Sequence, residues 1–265
     1  MKNFEAAREC FKDSIDISFY FDSLSAEIAR KKVIEALGDD AVPLVFILGD
    51  PGVGKSHMMR VAYSQSKLTH PCIFLERPFF DPKDLLKVLF EFKSVPMYVS
   101  LYQGEMIEKL VSLYEGDFCT IFIDESHLLN AMQFEFIRIL SDTKQFQFVL
   151  ALPKDEGSKL LEKKQFYTRQ KLVIEYGDLE ENELLRYIQT VLKMSNLDDV
   201  AAMFSRSEAK TIARYAKGNF RLIKKFLYTL MKLLHYAQKH QLSKYRKINS
   251  SLLTMAALDI GLIRD

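Results

Sequence analysis

Between residues 42 and 176 the chain alternates short, unbroken apolar runs with longer stretches in which apolar positions return every three or four residues. The runs are 42–48, 72–75, 118–123, 146–152 and 172–176. They are short, and continuous apolarity suits strands of a parallel sheet covered on both faces. Helical periodicity fills most of the intervals, at 82–92, 104–114 and 128–140, and an amphipathic helix at 25–37, stopped by Gly38, precedes the first strand. Such alternation predicts an α/β fold: a central parallel five-stranded sheet in a three-layer α/β/α arrangement. Beyond Gly177 the strand pattern ends, and 180–194, 207–217, 221–238 and 250–260 read as helices. A small all-α domain is therefore expected after the sheet, dividing the chain into 1–177 and 178–265, with Gly177 and Asp178 as a candidate hinge.

Composition narrows the setting more than the chemistry. Of 265 residues 48% are hydrophobic and 27% charged, which predicts a packed soluble protein and excludes a low-complexity chain. The 37 basic and 35 acidic residues leave a formal charge of +2, too balanced to name a nucleic acid or an anionic membrane as partner. Cys10, Cys72 and Cys119 have no metal-ligand spacing, and two lie in apolar runs, which fits a reducing compartment. The first 16 residues lack the continuous apolar core of a secretory signal, and the apolar stretch 222–234 is broken by Lys224, Lys225 and Lys232. The expectation is a cytoplasmic protein with no transmembrane segment, any attachment to the inner membrane being peripheral.

Chemistry concentrates where the first strand ends. Residues 49–56 read Gly-Asp-Pro-Gly-Val-Gly-Lys-Ser, which places Gly49, Gly54, Lys55 and Ser56 at the spacing of a phosphate-binding loop, with Gly52 a further glycine inside it. Glycines let backbone N–H groups turn inward around phosphates, and the following helix aims its positive dipole end at them. Asp50, Pro51, Gly52, Val53, Gly54, Lys55, Ser56 and His57 are thus the candidate nucleotide-binding residues. Lys55 is placed to reach the outer phosphates, and Ser56 to ligate Mg²⁺. The third strand supplies the complement, Thr-Ile-Phe-Ile followed by Asp124 and Glu125. Two acids after a buried strand are costly without a task. Asp124 is the expected metal-side carboxylate, and Glu125 the base that orients or deprotonates the attacking water. ATP and Mg²⁺ are the expected ligands, and ATP hydrolysis the expected reaction.

With both motifs in place the chain resembles the AAA+ P-loop ATPases, and within them the branch of the secretion ATPase ExeA and the transposition ATPases of the TniB type. Asp-Glu-Ser-His-Leu-Leu-Asn from Asp124, continuing to Ile-Arg-Ile-Leu-Ser-Asp-Thr at Thr143, is similar to the run in which an acidic pair leads into an Arg-Leu-Leu-Ser-Asn helix end; Arg138 stands at the arginine. Gln165-Phe-Tyr-Thr-Arg169 precedes the last strand as a Gln-Arg pair does in that branch, which makes Arg169 the implied arginine finger, acting on a neighbouring subunit's nucleotide. Gly218-Asn-Phe-Arg221 is similar to the sensor-2 motif and implies that Arg221 points at the nucleotide from a helical lid. Phe19, Tyr20 and Phe21 lie where such proteins contact adenine. The chain departs from the pattern at sensor 1, where Ala151 and Leu152 stand in place of a polar residue, with Lys154 and Asp142 as nearby substitutes. The resemblance implies a homo-oligomeric motor or switch subunit coupled to a protein partner in secretion, pilus assembly or DNA uptake. The alternative is a DNA-binding regulator of transposition or replication, for which residues 239–247 are the one basic stretch with an interleaved aromatic.

Overall fold

In the computed structural model of the protein, residues 2–14, 19–97 and 102–263 are described, with 103, 164 and 165 described for backbone only. The elements run α1 (Phe4–Glu9), α2 (Leu24–Ala36), β1 (Leu44–Leu48), α3 (Lys55–Ser66), β2 (Cys72–Leu75), α4 (Pro82–Phe92), α5 (Gln103–Leu113), β3 (Cys119–Ile123), α6 (Ala131–Asp142), β4 (Phe146–Leu152), α7 (Lys154–Leu161), α8 (Lys164–Tyr167) and β5 (Leu172–Glu175). There follow α9 (Glu181–Met194), α10 (Asp198–Ala201), α11 (Arg206–Ala216), α12 (Phe220–Lys239) and α13 (Ser250–Asp259). All five predicted strands and the predicted long helices are present.

The strands form one parallel sheet in the order β2-β3-β4-β1-β5. β1, β3 and β4 are buried at every position, as their unbroken apolarity requires, whereas β5 at one edge is mostly uncovered. Two polar residues interrupt the apolar pattern, and both are satisfied. Thr120 of β3 donates to Gln147 Oε1 of β4 at 2.8 Å, and the Gln147 amide donates to the carbonyls of Ala36 and Val42, each at 2.7 Å. An unpaired amide there would cost about 1–3 kcal/mol.

Local chemistry moves one boundary. The helix expected over 128–140 is instead a 3₁₀ turn at Ser126–Leu128 followed by α6, because Asn130 caps it. The Asn130 side chain accepts from Gln133 N at 3.0 Å while Gln133 Oε1 accepts from Asn130 N at 2.6 Å, the reciprocal bonding that starts a helix firmly. The same glutamine donates to the carbonyls of Phe79 and Phe80, fixing that loop.

The chain forms two compact units. The α/β unit comprises Glu27–Asp50 and Lys55–Tyr176. The helical unit comprises Met1–Ala26, Pro51–Gly54 and Gly177–Asp265. Residues up to Ala26, expected with the sheet, thus belong with the helices. The reason is apolar: Phe4, Ala7 and Phe11 enter the same core as Tyr187, Ile188, Phe226 and Leu230, with α1 lying on α12.

Candidate nucleotide site

The loop after β1 is shaped by its glycines. Gly52 and Gly54 have φ of +86° and +113°, values that a side chain disfavours, and they redirect the backbone between Leu48 and the first turn of α3. The loop's entry is tied to the neighbouring strand by Gly49 N donating to Leu152 O at 3.3 Å. α3 begins at Lys55, so Lys55, Ser56 and His57 lie in the helix turn whose N–H groups have no intrahelical acceptor. Met58 and Met59 are fully buried and anchor that turn. The Lys55 ammonium donates to Gly49 O at 2.6 Å and Asp50 O at 3.1 Å, holding the lysine across the loop.

Asp124 and Glu125 follow β3, two strands from β1 at the same carboxyl end of the sheet, roughly 10 Å away at ordinary strand spacing. Asp124 is only 6% exposed, its backbone N bonded to Leu75 O and its Oδ1 accepting from Glu125 N at 2.9 Å. Glu125 differs in every respect. Its side chain is 53% exposed, with Oε2 lying 3.2 Å from His127 Nδ1, and its φ is +51°. A non-glycine residue held left-handed stores local strain. Ser126, buried, closes the turn by donating to Ile123 O at 2.8 Å. One acid is thus locked beside the strand and the next projects from a strained corner.

The helical unit takes up the middle of the loop. Asn219 Nδ2 donates to Pro51 O at 2.8 Å, and Arg221 N donates to Gly52 O at 3.0 Å. A Cβ on Gly52 would stand 2.7 Å from Asn219 Oδ1 and 2.9 Å from Arg221 Cβ, so Gly52 serves the packing of these residues as well as the turn. Asn219 also caps α12, accepting from Leu222 N at 3.3 Å. The sequence reading singled out Arg221 of the Gly-Asn-Phe-Arg run and passed over its asparagine. The Arg221 side chain is 61% exposed, its Nε 3.8 Å from Asp13 Oδ2. Phe21 packs edge-on against Tyr187, at 5.4 Å between ring centres, beneath the Arg186 guanidinium, and Tyr20 is half-buried while Phe19 lies at the surface.

Asp142 and Arg169 stand just before the amino ends of β4 and β5, the end of the sheet opposite the loop. Arg169, 31% exposed, pairs with Asp142, which also accepts from Arg138 Nη1 at 2.7 Å. Arg138 in turn bonds Glu135 at 2.7 Å, and this hydrogen bond draws the Glu135 carboxyl below the usual range. Ala151 and Leu152 are buried in β4. Lys154 is paired with Glu175 at 3.0 Å, so both polar substitutes for sensor 1 are engaged in ion pairs. Cys72 and Cys119 are buried, and burial pushes their thiols up to about 11 and about 12, which keeps them protonated and unreactive.

Residues 40–161 match the family model described as an AAA domain. Among solved structures the chain is similar to a Walker-type ATPase of Pyrococcus abyssi, at 14% identity and TM-score 0.62 over 95% of this chain and 76% of that one. It is similar to Cdc6p of Pyrobaculum aerophilum, at 16% identity and TM-score 0.63 over 88% of this chain and 66% of that one. It is also similar to the Aeropyrum pernix ORC1 protein, solved in complex with DNA, at 14% identity and TM-score 0.59 over 96% of this chain and 69% of that one. No curated protein gives a significant sequence match. The fold is that of the AAA+ P-loop NTPases, and residues 40–161 carry the match to the AAA domain.

Proposed function

We propose that this chain binds ATP with Mg²⁺ at the loop 49–56 and hydrolyses it, acting as one subunit of a homo-oligomer. The observation that carries this reading is the pair Asp124 and Glu125, one buried and one projecting, at the same sheet end as a glycine-shaped loop with Lys55 and Ser56 at its helix start. The donor set fits the ligand: inward-turning N–H groups and an ammonium for the phosphates, a hydroxyl and a buried carboxylate for a hard divalent cation. Ser56 and Asp124 would hold that cation, which neutralises charge on the outer phosphates when bound. Lys55 exchanges the carbonyls of Gly49 and Asp50 for phosphate oxygens. Glu125 accepts a proton from the attacking water, and Arg169 acts on the nucleotide of a neighbouring subunit. Asn219 and the Arg221 backbone N–H hold Pro51 and Gly52, the part of the loop that belongs to the helical unit.

Of the two machines such a subunit can drive, the structural relatives favour one that works on DNA. ORC1 of Aeropyrum pernix was solved with DNA bound, and Lys239, Lys244, Arg246 and Lys247 of this chain are exposed. The secretion, pilus-assembly or DNA-uptake role draws on the ExeA-like run from Asp124 to Thr143. Phosphate release by the purified protein tests the enzymatic reading: Glu125→Gln should lower turnover about 100-fold or more while leaving ATP affinity near that of the wild type. Undiminished turnover in Glu125→Gln would sink the assignment.

A further inference from the structure

α11 gives the helical unit one strongly cationic side. Arg206, Lys210 and Arg214 recur every fourth residue and Lys217 follows three later, so successive charges stand about 4.5–6 Å apart along about 16 Å of helix. All four are exposed, and the hydroxyls of Ser207 and Thr211 fall between them. The opposite side of the helix, at Ala209, Ile212, Ala213 and Ala216, is buried in the unit's core, which fixes the direction of the charged side. Among the described residues only Lys210 has a carboxylate within ion-pair distance, Glu181 at 3.6 Å. In a chain whose charges nearly cancel, such a row is a local concentration rather than background. Like charges at this spacing repel, so the row weakens its own helix unless an anion lies against it. Beside it, between α11 and the start of α9, opens a cleft of about 400 Å³ lined by Glu181, Ser207, Lys210, Thr211, Arg214 and Lys217.

We propose that this side of α11 binds the sugar-phosphate backbone of duplex DNA without reading its sequence. The inference rests on the DNA reading above and names its contact surface. A line of charges fits a repeating polyanion, whereas one phosphate or one nucleotide calls for charges that converge on a point. No aromatic ring lines the cleft, and Tyr215 on the same helix stacks against Phe226 in the core, so unpaired bases have no platform there. The hydroxyls and the guanidinium and ammonium groups are the usual partners of phosphate oxygens.

The test is the salt dependence of binding of a labelled, arbitrary-sequence duplex to the full chain with Mg²⁺ and ATP, followed by fluorescence anisotropy. Neutralising the row, as Arg206→Gln with Lys210→Gln, Arg214→Gln and Lys217→Gln, should weaken binding at low salt at least tenfold and flatten the log–log salt slope by about 3, with DNA-independent ATP turnover unchanged. Exchanging Arg206→Lys and Arg214→Lys keeps the charges and should keep the slope, so a merely structural role for the arginines is separated from a phosphate contact. If the wild type binds but the glutamine variant retains its slope, the α11 surface is wrong and the DNA reading survives. If the wild type binds no duplex at low salt, both fall. If polyglutamate competes as well as unlabelled duplex at equal charge concentration, the surface serves an acidic protein and the commitment to DNA is overturned.

Discussion

The loop at Gly49–Ser56 and the cluster around Asp142 lie in one chain and hold their charged residues in opposite ways. In the loop, the Lys55 ammonium donates to the carbonyls of Gly49 and Asp50, whose places phosphate oxygens can take, and the buried Asp124 takes a hydrogen bond from the next residue's N–H. Around Asp142, Arg138 and Arg169 both spend their guanidinium groups on a carboxylate of the same unit. The loop lysine is held through backbone oxygens, whereas the two arginines are held by a carboxylate that neutralises them. An arginine assigned by its place in a motif, Arg169, must therefore be released from Asp142 before it can act elsewhere.

Arg169 breaks or sharpens that contrast most strongly. As an arginine acting on a neighbour's nucleotide, its removal in Arg169→Ala should cut turnover of the assembled protein by about 10³-fold while ATP binding persists. Steady-state phosphate release beside equilibrium nucleotide binding reads both; equal turnover would leave Arg169 as the structural partner of Asp142. The pairing itself is tested by Asp142→Asn, which frees Arg169 and loosens Arg138. If the pair restrains a catalytic arginine, turnover rises or holds, whereas a fall of tenfold or more with normal ATP affinity would show that Asp142 positions the arginine.

A smaller effect is expected at the loop. Gly52→Ala forces a side chain into a positive φ and against Asn219 and Arg221, and should cost about 1–3 kcal/mol of stability in urea unfolding. Asn219→Ala relieves only part of that contact, so the double variant should be less destabilised than the sum of the two, and simple additivity would remove the proposed packing role of Gly52.

The smallest effect belongs to the sheet's polar seam. His70 Nε2 lies 2.9 Å from Thr120 Oγ1, whose hydroxyl already donates to Gln147, so the ring nitrogen is the donor and the neutral imidazole suffices. Burial lowers the His70 pKa below its ordinary value of 6.5. The unfolded chain then takes up a proton more readily than the folded one, so this contribution is complete above 6.5 and is lost as pH falls through the folded pKa. Stability of the wild type should decline on acidification from pH 7 to 5 more than that of His70→Gln, as followed by thermal unfolding; parallel declines would exclude the histidine.

How much of this was legible in the sequence depends on the range of the interaction concerned. The strands and the loop follow from contiguous residues, because buried parallel strands are apolar throughout and a phosphate loop draws its groups from one short segment. The start of α6 was missed by three residues, since reciprocal capping by Asn130 and Gln133 outweighs the apolar pattern of Leu128 and Leu129. α7, with Gly157 inside it, and the short α1, α8 and α10 lack enough turns to show a period. The membership of residues 1–26 in the helical unit and the ion pairs of Asp142, Arg138 and Arg169 depend on partners distant in the chain, which no local spacing encodes. Asn219 was within the quoted run and carried a signal of its own, an asparagine directly before a helix, the ordinary residue for a cap.

The central claim is that residues 49–56 hold the phosphates of ATP, and calorimetric titration of ATP with Mg²⁺ into the wild type and Lys55→Ala tests it most directly. The account predicts saturable one-site binding to the wild type and a loss of about 100-fold or more in Lys55→Ala, with the thermal unfolding of the free proteins closely matched. Equal affinity in the two proteins would contradict it.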